Sequence, residues 1–288
     1  MTTSIVTSMY NRKREVFDVI ENLFFPSLIN NASSDKELVI IDDCSPLEKE
    51  TRQLVERNLE GLSKFGNVIF KRNDKNKGFA GAFNEGTSLA SGKNLFITND
   101  DIYLPEGSVS SLVSTLHESN NYGLVGPIVN ARDVWTYQYC KQAPKINSYS
   151  KEEIKKIQDF SIFCKERMKG MRIKTDVLSG FCWAADMARV REERGFDEDY
   201  KNGSFEDIDL ARKMSKKYDI IINPEIFVYH GDLKNNHVSL NQQRIKRHYN
   251  ELKNTLTFSK KNGYFVTLKH LSKAIYRSTG KDTVSELF

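Results

Sequence analysis

The sequence predicts an α/β protein with a mostly parallel central sheet, helices on both faces of that sheet, and a helical appendage at the C-terminal end. Over the first 130 residues, short apolar segments rich in β-branched residues alternate with segments of helical periodicity. This alternation is typical of consecutive βαβ units, whose strands are covered by helices on each face. The rhythm changes after Asn130, and the last fifty residues look helical and basic.

Five strands and four helices are predicted before residue 130. The strands are expected at 4–10, 37–42, 67–72, 94–100 and 123–129. The helices between them are expected at 14–28, 48–59, 80–92 and 105–118. Gly92 closes the third helix and Pro105 lies near the start of the fourth, as their conformational preferences favour.

The segment after Asn130 begins with polar and aromatic residues that show no clear period. An amphipathic helix is then predicted at 151–170, because its apolar residues recur at helical intervals. It is followed by an apolar stretch at 176–186, a helix at 204–218, and strands at 219–223 and 226–230.

Composition and cysteine spacing exclude several classes of protein. Four cysteines are spread through 288 residues with no CxxC pair, which indicates a reduced cytoplasmic protein without a disulfide framework or zinc site. No apolar run approaches the roughly 20 residues of a membrane span. The N-terminal residues lack the basic-then-apolar order of a signal peptide.

Positive charge is concentrated near the C-terminal end. From Ala211 onward there are fifteen Lys/Arg and six Asp/Glu, although the whole chain has a net charge of only +5. We expect either contact with an anionic membrane or lipid-linked acceptor, or simply a solvated helix face. An apolar helix face at Leu240, Ile245, Tyr249, Leu252 and Leu256 is expected to pack on the main domain or on a second subunit. The opposite face, with Arg244, Lys246, Arg247 and Lys253, would be the one that meets lipid or solvent.

Polar clusters follow four of the predicted strands, at the edge where ligands bind in open α/β sheets. Each cluster alone is more typical of a turn or a helix cap than of a binding site, but four at one edge indicate a site. They are Thr7, Asn11 and Arg12; Asp42, Asp43 and Ser45; Asn73, Asn76, Lys77 and Gly78; and Asn99, Asp100 and Asp101.

The residue types in these clusters suit a nucleotide diphosphate. Asp42 or Asp43 can accept hydrogen bonds from a base or from ribose, and the backbone at Gly78 can approach a ligand closely. Asp100 and Asp101 are adjacent carboxylates at the end of an apolar strand, so a divalent cation is expected beside them. Neither a dinucleotide fingerprint nor a P-loop is present.

Two features of the second half have both structural and chemical interpretations. Glu206, Asp207 and Asp209 lie in the first turn of a predicted helix, where they either cap the helix or supply a general base. His230 closes a predicted strand, where it is either a core residue or a metal ligand.

These motifs together resemble the inverting family 2 glycosyltransferases of the GT-A fold, in the rhamnosyl- and galactofuranosyl-transferase-like branch. The matching segments occur in the family's order between Ser4 and Asp232: "IVTSMYNR", "VIIDDCSP", "NKGFAGAFNEG", "ITNDD", "LSGFCWAADMARV…GFDEDY", "FEDIDLARK" and "VYHGD". The resemblance implies a catalytic domain at 1–234, with a nucleotide-sugar half at 1–130 and an acceptor half at 131–234. A basic helical extension would occupy 235–288.

The resemblance also implies roles for individual residues. Asp207 would be the catalytic base, while Asp101 and His230 would ligate Mn²⁺ or Mg²⁺. Trp183 and Glu206 would contact the acceptor, although Trp183 is as well explained as a core residue. The first position of "NDD" is Asn99, where many relatives have Asp. Donor contacts would come from Thr7, Asn11, Arg12, Asp42, Asp43, Lys77, Gly78, Asn84 and Asp100.

The expected partners are a UDP- or dTDP-linked sugar and a glycan or lipid-linked acceptor, with no nucleic acid and with a homodimer as one option. The enzyme would be cytoplasmic, at the inner face of the membrane if its basic tail binds lipid. The alternative function is an inactive glycan- or lipid-binding module on the same fold.

Overall fold

The computed structural model describes residues 2–131, 137–200, 205–231, 252–278 and 284–288. Its strands are β1 (Thr3–Met9), β2 (Lys36–Asp42), β3 (Asn67–Arg72), β4 (Asn94–Thr98), β5 (Ile102–Tyr103), β6 (Tyr122–Val129), β7 (Ile173–Thr175), β8 (Cys182–Asp186) and β9 (Asp219–His230).

The helices are α1 (Glu15–Val19), α2 (Phe25–Asn30), α3 (Glu48–Arg57), α4 (Leu59–Leu62), α5 (Gly78–Leu89), α6 (Ser108–Leu116), α7 (Lys151–Arg167), α8 (Met187–Glu192), α9 (Glu206–Ser215), α10 (252–262) and α11 (Tyr264–Ser278). A π-helical turn at Ile20–Phe24 joins α1 to α2, next to Pro26, whose missing N–H interrupts regular helical bonding. A short 3₁₀ helix occupies Val284–Leu287.

The described strands form one nine-stranded sheet in the order β3-β2-β1-β4-β8-β6-β9-β5, with β7 paired to β9. The first four of these strands are parallel, and β6 and β9 are parallel to each other. β8 is antiparallel to both β4 and β6. The beginning of β8 therefore lies at the edge where the parallel strands end, which we call the ligand edge.

All five strands and four helices predicted before residue 130 are present. The strands predicted at 219–223 and 226–230 are a single strand, β9, with an irregularity in its pairing to β6. Pro224 lies at this irregularity, where its missing N–H interrupts the ladder without ending the strand. β5 was not predicted, because two residues carry no detectable periodicity.

Alternate residues of the strands supply cores on both faces of the sheet. Ile40 belongs to one buried cluster and its neighbour Ile41 to the other, and both side chains are fully buried. Trp183 of β8 is also buried, with 1% of its surface exposed. The prediction of a sheet covered on both faces is therefore confirmed. Strands from both sides of residue 130 share this sheet.

The C-terminal extension contacts the main sheet domain through α10. The side chain of Phe258 is fully buried, and its ring lies 5.0 Å from that of Phe205, next to α9. Leu252 and Leu256 were expected to pack on the main domain or a second subunit, but 61% and 55% of their surfaces are exposed. Packing on the main domain is therefore wrong for these two leucines, because α10 turns its Phe258 face inward. Leu240, Ile245 and Tyr249 lie outside the described residues, as does the boundary expected at residue 234.

None of the helices in the described ranges is long and apolar enough to cross a bilayer.

We predict that Phe258→Ala lowers the free energy of unfolding by about 3–5 kcal/mol, because it leaves a cavity where the Phe258 ring was buried. Leu256→Ala, on the exposed side of the same helix, is the matched control and should change stability by less than about 0.5 kcal/mol. Thermal or urea unfolding followed by circular dichroism measures both. Equal effects of the two substitutions would show that α10 does not pack through Phe258.

Candidate active site

Asp42 is the last residue of β2 and Asp43 follows it at the ligand edge, and each is held by a different set of donors. One carboxylate oxygen of Asp42 accepts a hydrogen bond from the Ser45 amide at 2.8 Å, and the other pairs with the Arg72 guanidinium. Asp42 is buried, with 1% of its surface exposed. Arg72 thus neutralises a buried carboxylate at the end of the neighbouring strand.

Asp43 orders the turn between β3 and α5. Its carboxylate accepts hydrogen bonds from the Asn73 side chain at 2.8 Å and from the backbone amides of Lys77 and Gly78 at 2.9 Å each. Gly78 has φ of +72°, a left-handed conformation that strongly favours glycine. A Cβ at Gly78 would meet no atom within 4 Å, so crowding does not exclude other residues. The backbone angle is therefore the reason that glycine is favoured here.

Three buried oxygen atoms at this edge have no hydrogen-bond donor among the described residues. They are Thr7 Oγ1, Asn11 Oδ1 and Asn73 Oδ1. Thr7 and Asn11 are fully buried, and 3% of Asn73 is exposed. Leaving a buried polar atom unsatisfied costs about 1–3 kcal/mol, so such atoms call for a partner. A ligand that donates hydrogen bonds, such as a base or a ribose, would supply one.

The remaining donor candidates differ in their surroundings. Arg12 is exposed and its guanidinium lies 4.5 Å from the centre of the Tyr10 ring. Lys77 Nζ lies 2.6 Å from Glu85 Oε2. Asn84 instead joins α5 to the segment after α8, since its side-chain amide exchanges hydrogen bonds of 2.8 and 2.9 Å with the Phe196 backbone. The Asn84 amide is therefore engaged by the protein.

The pairing of β5 with β9 places Asp101 beside His230. Ile102 is opposite His230 in this antiparallel pair, and the Gly231 amide donates to the Asp101 carbonyl at 2.6 Å. Asp101 Oδ2 lies 3.7 Å from His230 Nδ1. Asp101 is buried, with 8% of its surface exposed, whereas 24% of the His230 side chain is exposed.

Asn130 holds the backbone of His230 from the other side. Its side-chain oxygen accepts from the His230 amide at 2.6 Å, and its Nδ2 donates to the His230 carbonyl at 3.1 Å. Asn130 thereby continues the pairing of β6 with β9 beyond the end of β6. Sequence reasoning missed this role, although a polar residue directly after a strand is the signal that marked the other clusters.

Asp100 precedes this pair and is half-buried. Burial, reinforced by the neighbouring Asp101 carboxylate, raises the pKa of Asp100 well above its usual range. Two adjacent carboxylates in a partly buried site favour a cation beside them. The Asn99 amide donates to the Phe181 carbonyl at 2.9 Å, which fixes the end of β4 against the start of β8.

The side chains of Asp101 and His230 are suitable ligands for a divalent cation. The described residues contain no group of three or more His, Cys, Asp and Glu side chains arranged to hold a metal. One carboxylate and one imidazole are nevertheless suitable ligands for Mn²⁺, and Mg²⁺ is commonly held by one or two carboxylates plus substrate phosphates. The donor set thus fits a metal that shares its coordination with a diphosphate.

Asp207 lies in the first turn of α9 and points to the start of β8. Its carboxylate accepts hydrogen bonds from the Gly180 amide at 2.7 Å and from the Ile208 amide at 2.8 Å. Burial raises the pKa of Asp207, and these two hydrogen bonds oppose the rise. A Cβ at Gly180 would lie 2.9 Å from the Asp207 Cβ, so glycine is required for this approach.

Asp209, two residues later, has a carboxylate that is already bound by three side chains of the protein. It accepts hydrogen bonds from the Tyr200 hydroxyl at 3.2 Å and the Asn262 side chain at 2.9 Å, and it pairs with Lys213 at 2.7 Å. Tyr200 and Asn262 come from the loop before α9 and from α10. Asp209 therefore ties α9 to the C-terminal extension, which favours Asp207 over Asp209 as the reactive carboxylate.

The two residues expected to contact an acceptor are both buried. Trp183 lies in the core with its ring centre 6.0 Å from that of Phe196, so it cannot stack on a sugar. Of the two roles expected for Trp183, the structure supports that of a core residue, because β8 is an interior strand of the sheet. Only 4% of the Glu206 surface is exposed.

The backbone at Gly180 and Phe181 connects Asp207 to the Asp101–His230 pair. Gly180 donates to Asp207, and the Phe181 carbonyl accepts from Asn99. The Phe181 ring centre is 6.2 Å from that of His230. The candidate base Asp207 and the candidate metal ligand His230 thus contact adjacent residues of one short backbone segment.

Comparison with known proteins identifies the family. Residues 4–188 match the family model described as Glycosyl transferase family 2, so the chain belongs to that family. An uncharacterized glycosyltransferase of Haemophilus influenzae is 36% identical over 104 residues, which is 36% of this chain and 31% of that protein. An uncharacterized glycosyltransferase of Nostoc sp. is 26% identical over 181 residues, 62% of this chain and 52% of that protein. The chain thus matches about a third to a half of these relatives.

Solved structures resemble the chain in fold. The mannosyltransferase PcManGT from Pyrobaculum calidifontis, in complex with GDP-Man and Mn²⁺, has a TM-score of 0.63 at 15% identity, covering 97% of this chain and 70% of that one. S. aureus TarS in complex with UDP-GlcNAc has a TM-score of 0.54 at 16% identity, covering 81% and 59%. The predicted GT-A fold is confirmed.

We predict that Asp43→Asn opens the turn between β3 and α5, because an amide group replaces an oxygen that accepts from backbone N–H groups. Charge-assisted hydrogen bonds of this kind contribute roughly 1.5–3 kcal/mol each. Hydrogen exchange measured by mass spectrometry should show faster exchange at residues 73–78. Asp74→Asn, at an exposed position in the same turn, is the control and should leave exchange unchanged. Unchanged exchange in Asp43→Asn would mean that other contacts hold this turn.

Proposed function

We propose that the protein transfers a sugar from a nucleotide-diphosphate sugar to a hydroxyl of a glycan or glycolipid, with inversion at the anomeric carbon and with the help of a divalent metal. The observation that supports this proposal is that Asp207 and His230 contact adjacent residues, since Asp207 accepts a hydrogen bond from Gly180 and the His230 ring lies near that of Phe181. Membership of glycosyl transferase family 2 supports sugar transfer as the reaction.

The nucleotide would occupy the part of the ligand edge formed by β1, β2 and β3. The buried oxygens of Thr7, Asn11 and Asn73 would accept hydrogen bonds from the base and ribose. Asp42 and Asp43 would act by holding the loops that shape this pocket, since both already accept several hydrogen bonds within the protein. UDP- and dTDP-linked sugars are the proposed donors. GDP-linked sugars are the third class to test, because PcManGT is in complex with GDP-Man.

The diphosphate would lie near Asp100 and Asp101. Asp101 and His230 would hold Mn²⁺ or Mg²⁺, which would offset the negative charge that develops on the departing nucleoside diphosphate. Asn130 and the β5–β9 pair fix the backbone at both ligands, so little reorganisation is needed when the donor binds. The Mn²⁺ in the PcManGT complex supports this choice of metal.

Asp207 would remove the proton from the acceptor hydroxyl as the hydroxyl oxygen attacks the anomeric carbon of the donor sugar. A raised pKa makes a carboxylate a stronger base, and burial has this effect on Asp207. The hydrogen bonds from Gly180 and Ile208 hold the carboxylate in one orientation. Attack from the face opposite the leaving group in a single displacement inverts the anomeric configuration.

We predict that Asp207→Asn keeps donor affinity and lowers the turnover number for transfer by roughly 10²–10⁴-fold, because only the base is removed. A thermal-shift screen of UDP-, dTDP- and GDP-linked sugars with and without Mn²⁺ first identifies the donor. Donor binding by titration calorimetry and transfer by product analysis then measure the two effects separately.

Asp209→Asn is the control on the same helix. It should lower the thermal stability, because Asp209 contacts Tyr200, Asn262 and Lys213, but it should leave transfer within a few-fold of the unmodified enzyme below its melting temperature. Near-normal turnover of Asp207→Asn would refute the assignment of the base. Failure of all three donor classes to bind would argue against the proposed function itself.

A further inference from the structure

Exposed apolar side chains are concentrated on the C-terminal helices. Among the described residues, eight large apolar side chains are exposed, and five of them lie between residues 252 and 268. These five are Leu252, Leu256, Tyr264, Phe265 and Leu268, with exposed fractions of 61%, 55%, 65%, 85% and 46%. Such a concentration marks an interaction surface rather than scattered surface residues.

The same helices carry only positive charge. Residues 252–278 contain six Lys/Arg and no Asp/Glu. Lys253 and Lys260 are exposed on α10, and Lys269 is exposed on α11 next to Leu268. We call the five apolar residues and these three lysines the tail surface. Apolar and aromatic residues interspersed with lysine are typical of helices that lie in the headgroup region of a bilayer.

The opposite side of α10 is attached to the main domain, and Val266 and Leu271 of α11 pack against the same apolar cluster as Phe258. Phe258 and Asn254 are fully buried. Asn262 donates to Asp209 at 2.9 Å, and Lys261 lies 2.8 Å from Asp199. The tail surface is therefore presented outward by helices whose other side is held in place, so its exposure does not result from detached helices.

We propose that the tail surface binds the headgroup region of an anionic phospholipid bilayer. The charge distribution favours this partner over a second copy of the chain. In a dimer with twofold symmetry, the same basic surface would contribute to both sides of the interface, so like charges would face each other. An anionic bilayer neutralises the lysines while burying the aromatic and aliphatic side chains between them.

The test is sedimentation of the full chain with vesicles, which does not depend on the donor or on transfer. Vesicles of phosphatidylcholine alone are compared with vesicles that contain about 30 mol% phosphatidylglycerol. We expect strong binding to the anionic vesicles, weak binding to the neutral ones, and loss of binding between about 0.05 M and about 0.5 M salt.

Variants show whether the tail surface carries the binding. The double variant Phe265→Ser and Leu268→Ser should weaken partitioning roughly tenfold, because apolar area is no longer removed from water. Ile162→Ser is the control, since Ile162 is 57% exposed on α7 and does not belong to the tail surface, so partitioning should not change.

Equal binding to neutral and anionic vesicles, no binding to either, or unchanged binding of the double variant would overturn the proposal. Light scattering in the absence of vesicles tests the alternative partner, which is a second copy of the chain. A dimer that the double variant converts to a monomer would assign the surface to a second copy instead.

Discussion

The short antiparallel pairing of β5 with β9 is the constraint on which the proposed site depends. The parallel strands end at one edge, but that alone does not bring the end of β4 to the end of β9, since two strands separate them in the sheet. The chain crosses this distance after Asp101 and pairs Ile102 with His230. Asp101 and His230 thereby become neighbours, and Asn130 fixes the His230 backbone from the side of β6.

Backbone amides satisfy the carboxylates of this site to a large extent. Asp43 accepts from the amides of the turn that opens α5, and Asp207 accepts from the amide of Gly180. Such bonds fix the carboxylates without neutralising them, so negative charge remains available for a cation or a proton. The buried oxygens of Thr7 and Asn11 show the complementary situation, because no group among the described residues donates a hydrogen bond to them.

Local pattern predicted most of the fold, and strand ends predicted the ligand edge. Periodicity identified the strands and helices before residue 130, because each is long enough to bury an apolar face. It could not identify β5, whose two residues form a strand only through pairing with a partner far along the chain. Nor could it show that Asn84 bonds to the segment at Phe196 or that Trp183 is in the core, since both depend on tertiary contacts. The role of Asn130 was within reach, as it follows a predicted strand.

The most direct test of this account is whether Asp101 and His230 hold a divalent cation together with a nucleoside diphosphate. Electron paramagnetic resonance of Mn²⁺, titrated with the protein in the presence of UDP, dTDP or GDP, reports this without requiring transfer. We expect nucleotide-dependent Mn²⁺ binding that Asp101→Asn and His230→Ala each weaken. The loss of Mn²⁺ binding free energy in the double variant should be smaller than the sum of the losses in the two single variants, because both side chains would contact one ion. Mn²⁺ binding that is unchanged in both single variants would contradict the account.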